Sequence, residues 1–362
     1  IDEIAKNYSI PMYVCNRELY GYITAQFSEA NFDETIVYDL YIHMLHEHQL
    51  NGPNQTYLKL IEKSQHISSV IQQEPTKFGL DEIYVINLKR RTDRRNRIKD
   101  TFDLLNIGDV TYFDAIDGKY DIDQNYLDKY QIKLLPDYID PYNQRPINYG
   151  EIGCFLSHYF IWEDIVKRQL KNGVMILEDD VKFDVYFKYK LQHILDYIEK
   201  NKTFEWDLIY LGRKIIRLSE ENYNSTIETY LIEPAYTHWT IGYLLSLRGA
   251  QLLIDEKPLS KIIPVDEYLP IMYDRHPNFQ WKNYFQNRKL KAYAFHPSIL
   301  TPTHYFGEPN YISDTENTTV LNNIVEDITK PLSVDVSSLV VDISDVVFDT
   351  LDKNIRTTKE EL

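Results

Sequence analysis

Residues 83–95 read Ile83-Tyr84-Val85-Ile86-Asn87-Leu88-Lys89-Arg90-Arg91-Thr92-Asp93-Arg94-Arg95, and the change of character at Leu88 decides the fold. The short apolar run Ile83–Leu88 predicts a buried strand, and Ile98, Phe102 and Leu105 give the stretch Asp93–Leu105 the spacing of a helix. A second short strand is expected over Val110–Phe113, completing a βαβ unit. Further out, Ile152, Phe155, Leu156, Tyr159, Val166 and Leu170 predict a helix over Glu151–Leu170, with Asn172-Gly173 expected to stop it. Strands are expected at Val174–Leu177 and Leu208–Leu211. Alternating strands and helices define an α/β layer fold with a mainly parallel central sheet, whose ligand site lies beyond the carboxyl ends of the strands.

Composition narrows the function. The chain has 362 residues, 43% of them hydrophobic, enough for a large core. Its 55 acidic against 39 basic side chains give a net charge of -16, which excludes general nucleic-acid binding and favours a basic or neutral partner. No window approaches the roughly 20 apolar residues of a membrane span, so none is expected. The first residue is Ile1, and the expectation is a fragment or a processed product. Residues 1–76, which end in Gln72-Gln73-Glu74-Pro75-Thr76, are expected to be the tail of an upstream domain plus a linker. The main domain is expected over 77–323, and residues 324–362, poor in aromatics, as a poorly ordered tail. Cys15 and Cys154 are too few for a disulfide framework. Lys359-Glu360-Glu361-Leu362 resembles the C-terminal retrieval signal of the endoplasmic reticulum, and Asn-x-Ser/Thr sequons start at Asn7, Asn54, Asn201, Asn224 and Asn317. Each can arise by chance; together they point to the lumen of the endoplasmic reticulum. Oligomeric state, including a homo-oligomer, is left open.

Four groups of residues can carry chemistry. Glu178-Asp179-Asp180 follows the strand Val174–Leu177 directly; carboxylates at a strand end can hold a hard divalent cation, although such clusters are also common as solvated turns. Lys89–Arg97 packs six bases into nine residues where a strand gives way to a helix, a place that favours phosphate. Most of these bases belong on a solvated helix face, with Arg90 and Arg91 nearest the strand end. Asp266-Glu267, between Pro264 and Pro270, offers either a general base or the acidic start of a helix. His158, in the helix before the acidic strand, and His304, in a loop-like stretch far downstream, are each a lone histidine, more often structural than a ligand, although a distant imidazole can complete a mixed oxygen and nitrogen site. There is no P-loop, Gly-x-Gly-x-x-Gly fingerprint or Gly-x-Ser-x-Gly elbow.

These stretches resemble glycosyltransferase family 25. The run Ile83–Arg95 looks like the family's opening block, Phe113-Asp114-Ala115-Ile116-Asp117-Gly118 like its second, and Gly150-Glu151-Ile152-Gly153-Cys154-Phe155-Leu156-Ser157-His158 with Leu177-Glu178-Asp179-Asp180 like its most diagnostic part. Asp207–Lys214, Pro264–Pro270 and Pro302-Thr303-His304-Tyr305 resemble the animal, collagen-modifying branch. The resemblance implies a GT-A-like fold, UDP-galactose as donor, Mn²⁺ as cofactor, and inverting, β-linked transfer to 5-hydroxylysine of collagen or procollagen chains. It implies Glu178, Asp180 and His304 as metal ligands and Asp266 or Glu267 as base. It implies Asn87, Arg90, Arg91, Asp114, Asp117, Ser157, His158 and Asp179 as donor contacts. Glu-Asp-Asp in place of Asp-x-Asp leaves open which carboxylates reach the metal. Two other readings stand beside this one: a non-catalytic, adhesion-type relative, because fold alone does not establish function, and a transferase with another sugar donor or acceptor.

Overall fold

In the computed structural model, strand β1 (Glu82–Asn87) is buried along its whole length. The structure describes residues 75–303, apart from 142–143, 185, 222 and 224–226, together with 313–315 and 318. Nearly all of the expected upstream tail and the whole expected C-terminal tail lie outside the described residues, as do Cys15, His304 and the sequons at Asn7, Asn54, Asn224 and Asn317.

β1 pairs in parallel with β2 (Thr111–Asp114) on one side and β3 (Val174–Glu178) on the other. The register sets Asn87 opposite Asp114 and Ile86 opposite Glu178, so three chemically useful side chains share one edge of the sheet. Beyond β3 come β7 (Thr237–Leu245), β5 (Leu208–Ile215), β8 (Ala292–Phe295) and β6 (Leu231–Ile232), giving the order β2-β1-β3-β7-β5-β8-β6. Pairing is parallel for β5 with β8 and antiparallel for β7 with both of its neighbours and for β6 with β8. Five of the seven strands therefore run one way, as the mainly parallel expectation requires, with β7 and β6 opposed.

Alternation along β1 fills two separate cores. Tyr84 and Ile86 face one with Phe155, Trp162 and Tyr268, whereas Ile83 and Val85 face the other with Ile98, Phe102 and Leu191. Side chains of successive strand residues point to opposite faces, so a run apolar at every position marks a sheet covered on both sides. The cover is α1 (Thr92–Leu105) and α4 (Phe187–Lys200) on one face, and α3 (Tyr149–Arg168), α5 (Leu247–Asp255) and α6 (Val265–Met272) on the other; α2 (Gln124–Lys129) and α7 (Phe279–Lys282) are shorter. None of the described helices is long and apolar enough to cross a membrane.

Helix α3 differs from expectation at both ends. It starts at Tyr149 because the Asn148 side chain accepts from the Glu151 N–H while the Glu151 carboxylate accepts from the Asn148 N–H, a reciprocal cap. It stops at Arg168, with Gln169 in the left-handed region at φ 56°, so the expected stop at Asn172-Gly173 comes after the helix has already ended. β2 begins one residue later than expected and β5 runs four residues further. A second sheet joins β4 (Val181–Phe183) to β9 (Leu300–Pro302), and the Thr303 N–H donates to the Asp180 carbonyl at 2.7 Å. That pair clamps the acidic turn between β3 and β4.

Candidate active site

Glu178 is the last residue of β3 and Asp179-Asp180 form the turn after it, so three acids leave the sheet edge together. They have different partners. Asp179 is buried and accepts from Asn87 Nδ2 at 2.6 Å and from an Arg94 guanidinium nitrogen at 3.1 Å, while its carbonyl accepts from Arg97. Glu178 Oε1 accepts from Thr240 Oγ1 at 2.6 Å and lies 3.5 Å from His158 Nε2. Burial acts to raise the Glu178 carboxyl, but His158 and Thr240 outweigh it and hold it below its ordinary range. Among the described residues the Asp180 carboxylate has one long contact of 3.4 Å, to Arg94, and its Oδ1 is buried with no partner. Burial, reinforced by the charge of Glu178, pushes its carboxyl up to about 7.

The basic run meets this turn through α1. Arg94, which the sequence reading did not single out, lines the cleft and touches both Asp179 and Asp180. Arg90 donates to Asp117 at 2.6 Å and to Asp314 at 2.7 Å, and Arg91 donates to the other Asp314 oxygen. Arg90 and Arg91 thus stand at the cleft rim, paired with acids. Asp114 is half-exposed, pairs with Lys89 at 3.3 Å, and is not among the cleft-lining residues.

Helix α3 forms the opposite wall. Ser157 is fully buried, donates to the Gly153 carbonyl and accepts from the Ile116 N–H, which ties the 115–118 loop to the helix. His158 is fully buried too; its Nδ1 lies 2.9 Å from the Tyr243 hydroxyl, which also accepts from Trp162 Nε1. Its Nε2 has no hydrogen-bond partner among the described residues. Cys154, one turn before it, offers a sulfur that lies with His158 and Glu178 ligand atoms inside 4.8 Å of one another. Together with Arg94, Asp117, Asp179 and Asp314, these walls line an open cleft.

The pair Asp266-Glu267 divides in the first turn of α6. Glu267 is buried, at 2.8 Å from His276 Nε2 and 3.5 Å from His238 Nε2, and accepts from the Tyr236 hydroxyl at 2.7 Å. Burial would raise its carboxyl, yet His238 and His276 bring it down to about 2. Asp266 is half-buried, and its carboxylate accepts from its own backbone N–H. Burial raises its carboxyl; His238 opposes this, and the charges of Glu267 and Glu178 add to it. Of the two, Glu267 is the acid hydrogen-bonded to Tyr236 and His276. His304 lies outside the described residues.

An α/β sheet of this order, with carboxylates and arginines gathered beyond the strand ends, is a GT-A-like glycosyltransferase architecture. Comparison with known proteins agrees. The family profile described as Glycosyltransferase family 25 (LPS biosynthesis protein) matches residues 80–269. The chain is 41% identical over 314 residues to Procollagen galactosyltransferase 2 of Homo sapiens, covering 87% of this chain and 48% of that protein. It is 41% identical over 319 residues to Procollagen galactosyltransferase 1-B of Xenopus laevis, covering 88% and 50%. It is 42% identical over 324 residues to a Glycosyltransferase 25 family member of Aedes aegypti, covering 88% and 51%. The chain spans about half the length of the curated relatives it matches. It belongs to glycosyltransferase family 25.

Proposed function

We propose that the cleft transfers galactose from UDP-galactose to the hydroxyl of 5-hydroxylysine in collagen or procollagen chains, with inversion at the sugar carbon and with a divalent cation, Mn²⁺, as cofactor. The observation that carries this reading is the buried Asp180 Oδ1 beside Glu178 at the end of β3, which has no partner among the described residues. Two carboxylates placed together with one oxygen unsatisfied are a donor set that suits a hard cation. Glu178 and Asp180 would hold the ion, which when bound supplies charge to bind a diphosphate and to offset its departure.

The rest of the work falls to the chain. Arg94, with Arg90 and Arg91 at the start of α1, is placed to receive phosphate oxygens, where guanidinium forks and the helix terminus act together. Asn87 and Asp179 hold Arg94 and the acidic turn in register. Asp266 is the base that takes the proton of the attacking hydroxyl: its raised carboxyl suits the task, and Tyr236 and His276 hold its neighbour Glu267 instead. Glu267, anchored to two histidines, positions it. The net charge of -16 favours approach of a Lys-rich acceptor. The names of the procollagen galactosyltransferase relatives support galactose and collagen as donor sugar and acceptor. The sequons and the C-terminal Lys-Glu-Glu-Leu support action in the lumen of the endoplasmic reticulum.

The test is a product analysis. The chain, expressed in a secretory host, is incubated with Mn²⁺, a collagen peptide bearing 5-hydroxylysine or lysine, and UDP-galactose, UDP-glucose or UDP-N-acetylglucosamine. The expected outcome is one β-linked galactose on hydroxylysine, read by mass spectrometry and NMR, and none on lysine. Preferred transfer of another sugar, or no acceptor-dependent product, contradicts the reading.

A further inference from the structure

Glu178 faces two sets of partners at once. On one side stands the hard-oxygen set with Asp180; on the other, Cys154 and His158 present a sulfur and a nitrogen from successive turns of α3. Residues four apart on a helix lie on one face, so both side chains meet Glu178 without any backbone change. The three ligand atoms lie within 4.8 Å of one another, and the His158 Nε2 to Glu178 Oε1 separation is already 3.5 Å. A tetrahedral zinc bonds sulfur at about 2.3 Å and nitrogen or oxygen at about 2.0–2.2 Å, which spaces its ligands roughly 3.5 Å apart.

Two further observations fit an ion rather than a packed thiol. His158 is fully buried, yet its Nε2 has no hydrogen-bond partner among the described residues, an arrangement native interiors rarely leave uncompensated. The outer contacts are those that orient metal ligands: His158 Nδ1 meets the Tyr243 hydroxyl at 2.9 Å, and Glu178 is held by Thr240 at 2.6 Å. In the tautomer that carries its proton on Nδ1, toward Tyr243, the Nε2 lone pair is the one left to face Cys154 and Glu178. All three residues line the open cleft, so an ion reaches them from solvent.

We propose that Cys154, His158 and Glu178 form a site for a thiophilic divalent cation of the zinc class, and that its occupancy excludes the hard cation from Glu178. Thiolate and imidazole select zinc, cobalt or cadmium over manganese and magnesium. As the sulfur binds, the thiol proton leaves to solvent and the fourth position stays with water. The binding claim stands on the three residues alone; the exclusion rests on the proposed role of Glu178 in holding Mn²⁺.

The experiment uses the 362-residue chain carrying Cys15→Ser, so that Cys154 is its one thiol, and Co²⁺ as an optical probe. The expected result is a thiolate-to-cobalt absorption band that saturates at one ion per chain, is displaced by Zn²⁺, and persists in excess Mn²⁺. Cys154→Ser abolishes the band, and His158→Gln weakens Co²⁺ binding by at least about tenfold. Circular dichroism confirms that both variants are folded. Absence of the band, or a band that survives Cys154→Ser, overturns the site. On the same samples, Mn²⁺-dependent UDP binding is measured with and without Zn²⁺. Zn²⁺ should suppress it in the Cys15→Ser chain and not in the chain that also carries Cys154→Ser; equal suppression in both, or in neither, overturns the exclusion. A cobalt band without any Mn²⁺-dependent UDP binding leaves the site standing and counts against the transferase reading.

Discussion

The Asp314 carboxylate lies 2.7 Å from the Arg90 guanidinium, although 224 residues separate the two in the chain. Its second oxygen accepts from Arg91, and Arg94 stands 3.8 Å away, so one acid faces the three arginines proposed to receive the donor's phosphates. A carboxylate on that cluster imitates the ligand's charge. Asp314→Asn should therefore tighten UDP binding in Mn²⁺ several-fold by calorimetry. It should change stability by less than about 1 kcal/mol, because pairs near solvent contribute little. Weaker binding would show that Asp314 aligns the arginines instead of competing for them.

Glu267 gives stability a defined pH dependence. Its carboxyl falls from an ordinary 4.5 to about 2 in the folded chain, so its contribution is complete above 4.5 and is lost as pH falls toward 2. His238 moves the other way: Glu267 and Asp266 raise it against the pull of burial. Its contribution is complete below 6.5 and is lost as pH rises through the raised value. Glu267→Gln should cost about 1–3 kcal/mol near neutrality by leaving buried partners unpaired, and should flatten both limbs of a plot of urea midpoint against pH. A variant with unchanged limbs would place the titration elsewhere.

Gly153 lets α3 touch the cleft loop. A methyl group there would stand 2.4 Å from the Ile116 carbonyl oxygen and 3.0 Å from the Gly118 nitrogen. Alanine normally stabilises a helix interior by about 0.5–1 kcal/mol relative to glycine. Here the clash with backbone wins, and Gly153→Ala should lower stability by about 1–3 kcal/mol in thermal unfolding. UDP affinity should fall with it, because Ser157 holds the same loop from the next turn.

Asp266 and Glu267 should part in kinetics as they do in space. Asp266→Asn is expected to leave Mn²⁺-dependent UDP binding within about twofold and to cut transfer by roughly 10²–10⁴, the range for loss of a general base. Loss of UDP binding in that variant would assign Asp266 to the metal or donor instead. A single-turnover assay beside calorimetry separates the two.

The first half of this architecture was legible because its signals are local. Apolar runs bounded by polar residues gave β1 and β3, and the acids and bases following those runs had to sit at the carboxyl edge, where Asp117, Ser157, His158, Glu178 and Asp179 line the cleft. What stayed hidden depends on contacts distant in sequence. β7 enters between β3 and β5 against the dominant direction, and nothing within Thr237–Leu245 reports its neighbours. Asp314 looks like any surface acid until it meets Arg90. The unequal roles of Asp266 and Glu267 follow from His238 and His276, which no spacing rule connects to α6. Arg94 was overlooked because six bases in nine residues look alike, and only the helix phase turns this one toward Asp179.

Under the proposed function Glu178 and Asp180 hold the cation on which transfer depends, and Asp180→Asn removes one of those two carboxylates. UDP release from UDP-galactose is measured with and without a hydroxylysine-containing collagen peptide, in Mn²⁺ and then in EDTA, for the parent chain and the variant, both shown to be folded by circular dichroism. Acceptor-dependent release should stop in EDTA and fall at least about a hundredfold in Asp180→Asn, on the order of a lost metal contact in the transition state. Release that persists in EDTA, or an Asp180→Asn chain as active as its parent, would contradict that reading.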